Sequence, residues 1–281
     1  MPEQSARGKL AWAIRGLSVL LLLLAPETGD TGFALLLLGL CIPHGAADHL
    51  IFRSRQPAGV GGSDIRFAIF YLVVIVAYGL LWFILPGAAL LAFLVVSVYH
   101  FGQSYPGNAG NQLLWGTFVL GFPVLLHYGD AQPIVEGMLH RRLFLPNWVS
   151  WLVPTLLLLA NLLVGYLSKQ WTRILDACIL AIIYLHTDLL LGFAAYFLIW
   201  HSLPAAVDQW RYLQRHLLTD RLGMYLRQLL PLTLGAVVSL GLIYWLLNRQ
   251  GPEVPYLSQL FILVSLITLP HAFLVDRVYR G

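Results

Sequence analysis

Apolar residues come in long blocks separated by short polar stretches, and ten such blocks can be read along the chain. They run Leu10–Ala25, Thr31–Phe52, Phe67–Leu85, Ala88–Gln103, Leu113–His127, Trp148–Leu167, Thr172–His186, Leu189–Val207, Gln228–Leu247 and Tyr256–Val275. Several hold only 15–17 residues, fewer than the ~20 that cross a bilayer upright. The first is the weakest, because it contains Arg15. The pattern predicts an all-α protein, a polytopic membrane helix bundle of about ten spans. No 20–50-residue repeat and no long linker interrupts it, so residues 1–281 read as a single transmembrane domain. The first block is followed by Pro26-Glu27-Thr28 and not by a small-residue cleavage site, so no cleavable signal is expected.

Composition sharpens this picture. Hydrophobic residues make up 59% of the chain and charged residues 11%, against about 25% charged in soluble domains. A water-facing body of this size would lack polar surface. The net charge is +4, too small and too scattered for a nucleic-acid reader. Cys41 and Cys178 are the only cysteines, which excludes a disulfide framework and a Cys-based zinc site.

Charge placement supplies an orientation. With a cytoplasmic N-terminus, all but Arg141, Arg142 and Arg249 of the 17 basic residues fall on the inner side, as the positive-inside rule requires. Both termini are then cytoplasmic.

Nine histidines stand out against this apolar background. His140 and His216 fall in loops, and His127 and His186 at outer span ends. His44, His49, His100, His201 and His271 lie within spans, where ionisable groups are costly and mark function. His44, His100, His201 and His271 sit eight, three, six and four residues before the inner ends of four different spans. A rise of ~1.5 Å per residue puts all four in one layer, roughly 5–12 Å from the inner boundary. A single intramembrane histidine is more often an interhelical hydrogen-bonding group. Four at one depth point to a shared site, and helix bundles build metal sites from inward-facing side chains. Neutral imidazoles suit zinc, copper, iron or nickel. His49, ~140° around the helix from His44, is expected in a supporting or inner-rim position. Asp48, one turn after His44, is expected to orient His44 through its second ring nitrogen or to ligate weakly; pairing with Arg53 or Arg55 is the alternative. Tyr99, Phe101, Phe193, Tyr196, Phe197, Trp200 and Phe273 surround these positions. Singly they read as packing or lipid-facing groups; together they would suit a long conjugated substrate entering from the bilayer. Neither HExxH nor G-x-S-x-G occurs, so hydrolysis has no support.

These same residues carry a family resemblance. Pro43-His44-Gly45-Ala46-Ala47-Asp48-His49 resembles the PHGALDH segment of the Brp/Blh β-carotene 15,15′-dioxygenases, and Tyr99-His100-Phe101-Gly102 their FHFG segment. Phe193 through Trp200-His201-Ser202 resembles FxxYFxxWHS, and Leu269-Pro270-His271 the terminal LPH. The resemblance implies a membrane-embedded non-haem Fe(II) oxygenase that cleaves β-carotene with O₂ into two retinals. It implies His44, His100 and His201 in ligand positions. It further implies a multi-pass protein of the cell inner membrane, in contact with membrane lipid, taking a carotenoid from the bilayer and linked in function to a retinal-binding opsin. One departure is plain. The family has a second histidine one turn after the WHS histidine, and this chain has Ala205 there, preceded by Pro204. His271 or His49 is left to complete the set. Two other classes compete: a non-catalytic carotenoid- or retinal-binding membrane protein, and a proton-coupled transporter. The spans show no paired broken helices in matching halves, which argues against the transporter.

Overall fold

In the computed structural model the described residues are 11–18, 20, 37–56, 62–105, 107–217, 222–249 and 256–280, and among them there is no β-strand. Residues 11–18 are helical. The helices that follow are α1 (Ile42–Ala46), α2 (Asp48–Ser54), α3 (Ser63–Ile84), α4 (Pro86–Gly102), α5 (Ala109–Leu126) and α6 (Tyr128–Leu139). After these come α7 (Asn147–Leu167), α8 (Trp171–His186), α9 (Leu189–Ala195), a π-helix (Tyr196–Ser202), α10 (Leu203–His216), α11 (Leu222–Arg249) and α12 (Tyr256–Arg280). Six helical stretches among the described residues are long and apolar enough to cross a membrane: 63–84, 109–126, 147–167, 189–216, 222–239 and 256–275. The outward face of α3 carries Ile69, Leu72, Val76 and Phe83, the last 88% exposed. Such a continuous apolar face marks a membrane protein.

Local chemistry sets the ends. Pro86 opens α4, where its missing N–H costs nothing. The Asn108 side chain accepts from Asn111 N–H at the start of α5, and Asp188 accepts from Leu191 N–H at the start of α9. Both caps satisfy backbone donors that the first helical turn leaves without an intrahelical partner.

Three differences from the ten-block reading have physical causes. The block Thr31–Phe52 is not one helix. Turns at Leu40–Cys41 and at Ala47 divide its described part. Pro43 has no N–H to continue a ladder and is tolerated only in a first turn, so a new helix starts beside it. A twelve-residue helix, α6, fills a stretch expected to be a loop. The block Leu189–Val207 continues to His216 and winds as a π-helix in its middle. Pro204 follows that stretch and cannot donate to the carbonyl one turn back. The ladder there widens, with Leu203 N–H reaching the Leu198 carbonyl. Of the block Leu10–Ala25, only 11–18 and 20 fall among the described residues.

The chain gathers into two compact units. The first draws on Met1–Cys41, Phe101–Gln132 and Phe144–Pro204, the second on Ile42–His100, Pro133–Leu143 and Ala205–Gly281. In the first unit α5 packs on α7 and α8 around an aromatic core that includes Phe101, Trp115, Phe118, Phe122, Tyr184 and Tyr196. In the second unit α12 packs on α2 and α3, and α11 on α1. Its helices are also tied by polar contacts, Trp82 Nε1 donating to Ser265 Oγ at 2.9 Å and the Tyr78 hydroxyl to the Ala89 carbonyl at 2.8 Å. Interhelical hydrogen bonds of this kind contribute about 0.6 kcal/mol each on average.

Candidate metal centre and aromatic wall

Four histidines have ordinary partners. His49, His127, His186 and His216 each place a ring nitrogen 2.7–2.9 Å from a backbone carbonyl, those of Ala46, Tyr184, Ile182 and Tyr212. His49 also faces the Phe67 ring. One ring nitrogen of His49 is thus tied within its own turn. His140 is exposed, with φ 52°.

His44, His100 and His271 differ. All three are buried within the second unit, carried by α1, α4 and α12. The His44 ring lies against His271 with centroids 4.5 Å apart and planes at 80°. The His100 ring lies 5.3 Å from His271, at 82°. Asp48 is fully buried, and His271 Nδ1 sits 2.9 Å from each of its carboxylate oxygens. A carboxylate only accepts, so Nδ1 carries the proton and donates. The Tyr71 hydroxyl, on α3, donates to the same carboxylate. His271 Nε2 is buried and has no hydrogen-bond partner among the described residues.

The expected pairing of Asp48 with His44 is thus corrected. Two residues four apart share a face only inside one helix. Ala47 is a turn between α1 and α2, and Asp48 opens the second helix. Its carboxylate is turned to α12 instead. Tyr71 was not singled out by sequence. A buried carboxylate needs donors, but no spacing in the sequence singles out one tyrosine hydroxyl for that role.

The fit of an imidazole-bound ion can be tested on these rings. Two imidazoles sharing one ion at N–metal distances of ~2.0–2.1 Å have centroids about 4.5 Å apart at a right angle and about 5.2 Å at a tetrahedral angle. The spacings around His271, 4.5 and 5.3 Å, lie close to these values, a range that edge-on ring packing also occupies. The donor chemistry fits as well: a lone-pair nitrogen without a partner, neighbouring imidazoles, and a carboxylate behind the ring. Among the described residues no group of three or more His, Cys, Asp or Glu side chains is placed to hold a metal ion. The His44 and His100 rings are neighbours of His271 and do not form a ligand set as they stand.

His201 lies in the first unit, on the π-helix. Its ring stacks on Phe197 at 5.4 Å and 17°, and Phe197 stacks on Phe193 at 5.9 Å and 11°. Phe101 meets Tyr196, Phe197 and His201 edge-on. Trp200 Nε1 donates to Ser18 Oγ at 2.8 Å. Of the expected aromatic group, Phe193 and Phe197 thus form a near-parallel stack with His201, and Phe101 closes on it edge-on. Tyr99 is half-buried on α4. Phe273 is 57% exposed, so it does not join His271 in the buried layer. Two residues on from His271, it falls on the far side of α12. A cleft of about 460 Å³ lined by residues such as Leu85, Arg141 and Arg142 contains none of the candidate site residues.

The β-carotene 15,15′-dioxygenase family model matches residues 33–279, which spans all four histidine segments. The chain belongs to this family. It is similar to the β-carotene 15,15′-dioxygenase of uncultured marine bacterium 66A03, 24% identical over 265 residues, covering 85% of this chain and 90% of that protein. No solved structure matches the chain.

The glycine of the family-like Tyr99-His100-Phe101-Gly102 segment has a structural cause. A Cβ at Gly102 would collide with the Gln112 carbonyl, a backbone group that cannot swing aside. Close backbone approach is what glycine permits. Gly102→Ala is expected to cost about 1–3 kcal/mol by overpacking. Gly45, with nothing within 4 Å of its ideal Cβ, should accept Ala without loss of stability. Thermal unfolding of both variants in detergent checks this; equal melting curves would refute the close-approach account.

Proposed function

We propose that this protein is a membrane-embedded, Fe(II)-dependent oxygenase that cleaves a carotenoid, foremost β-carotene to two retinals, with O₂. The observation that carries the reading is His271 Nε2. It is buried without a hydrogen-bond partner among the described residues, and its ring packs edge-on against the His44 and His100 rings with a carboxylate held at the other nitrogen. His44, His100 and His271 would hold the metal, and His201 enters through its Trp200-His201-Ser202 motif. When bound, Fe(II) supplies the electrons that let ground-state O₂ react with a closed-shell alkene.

The chain's own residues provide the rest. The Asp48 carboxylate offsets positive charge in an apolar interior and sets which His271 nitrogen is free. The stacked Phe193 and Phe197 rings, with Phe101 set edge-on to Phe197, offer an apolar aromatic surface that orients a polyene. The apolar surroundings exclude water, which a hydrocarbon substrate cannot replace by hydrogen bonds. Ten spans with cytoplasmic termini in a cell inner membrane, and transfer of retinal to an opsin, complete the proposal.

Metal analysis of the purified chain and a retinal assay in carotene-producing cells test it together. One iron per chain and retinal above the vector control are expected. Iron-free protein that yields no retinal would reject the enzyme reading. Ala205, which replaces the second histidine of the family motif, favours one rival: a non-catalytic protein that binds the carotenoid. That rival predicts bound carotenoid without retinal in the same cells.

A further inference from the structure

We infer that Tyr71 and Asp48 are positioning residues that lock His271 as a metal donor through Nε2. The inference rests on the metal-binding reading above and assigns roles within it.

The argument starts from an unbalanced charge. Asp48 is fully buried, and no Lys or Arg side chain is paired with it among the described residues. A buried carboxylate is retained only where hydrogen bonds and a nearby positive charge offset its desolvation. Its donors are the Tyr71 hydroxyl and His271 Nδ1–H. Neither is a fixed cation. A divalent ion on the opposite nitrogen of the His271 ring would supply the missing charge across a single imidazole.

The second step is the tautomer. Because the carboxylate can only accept, the proton is held on Nδ1 and the lone pair on Nε2. That nitrogen is buried without a hydrogen-bond partner, so in an apolar interior it presents a donor pair to nothing but an ion. The His44 and His100 rings stand beside the same imidazole at 4.5 and 5.3 Å. A carboxylate behind a metal-binding histidine also makes the ring a stronger donor.

The third step is rigidity. Asp48 comes from α2, Tyr71 from α3 and His271 from α12, and α2 and α3 both pack on α12. The Tyr71 ring is held by Phe67 and Phe70, with centroids 4.6 and 6.1 Å away. Three separate elements thus fix one carboxylate, which fixes one imidazole. A helix carrying Pro270 next to His271 needs such a tether, because proline removes a ladder hydrogen bond at that turn.

The test uses the full chain in detergent, with Co(II) as a spectroscopic probe and Fe(II) affinity measured by chelator competition. Wild type, Tyr71→Phe, Asp48→Asn and His44→Ala are compared, with circular dichroism and melting curves to establish folding. Tyr71→Phe and Asp48→Asn are expected to bind Fe(II) about 10–100-fold more weakly, as loss of a partner behind a ligand does. They are also expected to shift the Co(II) absorption bands. Folded Tyr71→Phe with wild-type affinity and spectrum would overturn the inference, whatever its melting temperature. If His44→Ala still loses the metal in that case, the metal-binding reading stands without it. No Co(II) binding by wild type would overturn both. Asp48→Asn that fails to fold leaves the decision to Tyr71→Phe, which removes one hydroxyl and keeps the ring packing.

Discussion

His44→Ala and His201→Ala are each expected to abolish retinal formation in carotene-producing cells, while His216→Ala leaves it at the wild-type level. His44 is 6% exposed, and its ring touches the His271 imidazole. Replacing it removes a donor nitrogen outright. The loss in metal affinity should exceed the ~10–100-fold seen when only a supporting partner is removed. His201 is placed by its motif and is 2% exposed, between Phe101 and Phe197. His216 is exposed, stacks on Tyr212 and gives its ring nitrogen to the Tyr212 carbonyl. Surface changes of that kind usually stay within about 0.5 kcal/mol. Retinal extracted per unit of membrane protein is the measurement, with iron per chain alongside it. Wild-type turnover in His44→Ala would remove the metal centre from this histidine layer. Wild-type turnover in His201→Ala alone would leave His201 a packing residue of the aromatic wall.

Much of the helical framework was legible because long apolar blocks admit one regular structure in the absence of water. A constant rise per residue grouped His44, His100, His201 and His271 in one layer; in the structure the His44 and His100 rings stand against His271, and His201 belongs to the first unit. What periodicity could not show were the places where a helix stops being regular. The turn at Ala47 breaks the four-residue relation between His44 and Asp48, so the carboxylate was paired with the wrong imidazole. The π-helix at Tyr196–Ser202 leaves no mark in the apolar pattern, which runs unbroken through it. A π stretch re-aims every side chain it carries, and such stretches gather at functional sites. Tyr71 was invisible for another reason. Its role lies in one hydroxyl, and among thirteen tyrosines nothing in spacing distinguishes it until Asp48 is seen to be buried.

The second large effect is expected from His271→Ala, and it should appear in stability as well as in metal content. The imidazole donates to both oxygens of a carboxylate that has no exposure at all. Removing it leaves Asp48 with the Tyr71 hydroxyl as its remaining donor. Removing a neutral donor from a buried carboxylate leaves that acceptor short of a hydrogen bond, which costs about 1–3 kcal/mol and more when the acceptor is charged. Asp48→Asn in the same chain should recover part of that loss. The amide carries no charge, and its oxygen still accepts from Tyr71. The double variant His271→Ala with Asp48→Asn is therefore expected to unfold later than His271→Ala alone, with a coupling of about 0.5–3 kcal/mol. Neither variant should retain iron, since the Nε2 donor is gone from both. Additive stability losses in the four-membered cycle would mean that Asp48 and His271 do not share a buried charge. Iron retained by His271→Ala would mean that the fourth donor lies elsewhere. Recovery of stability without recovery of iron separates the two roles of His271: its Nδ1–H holds a buried carboxylate, and its Nε2 is the nitrogen offered to the metal.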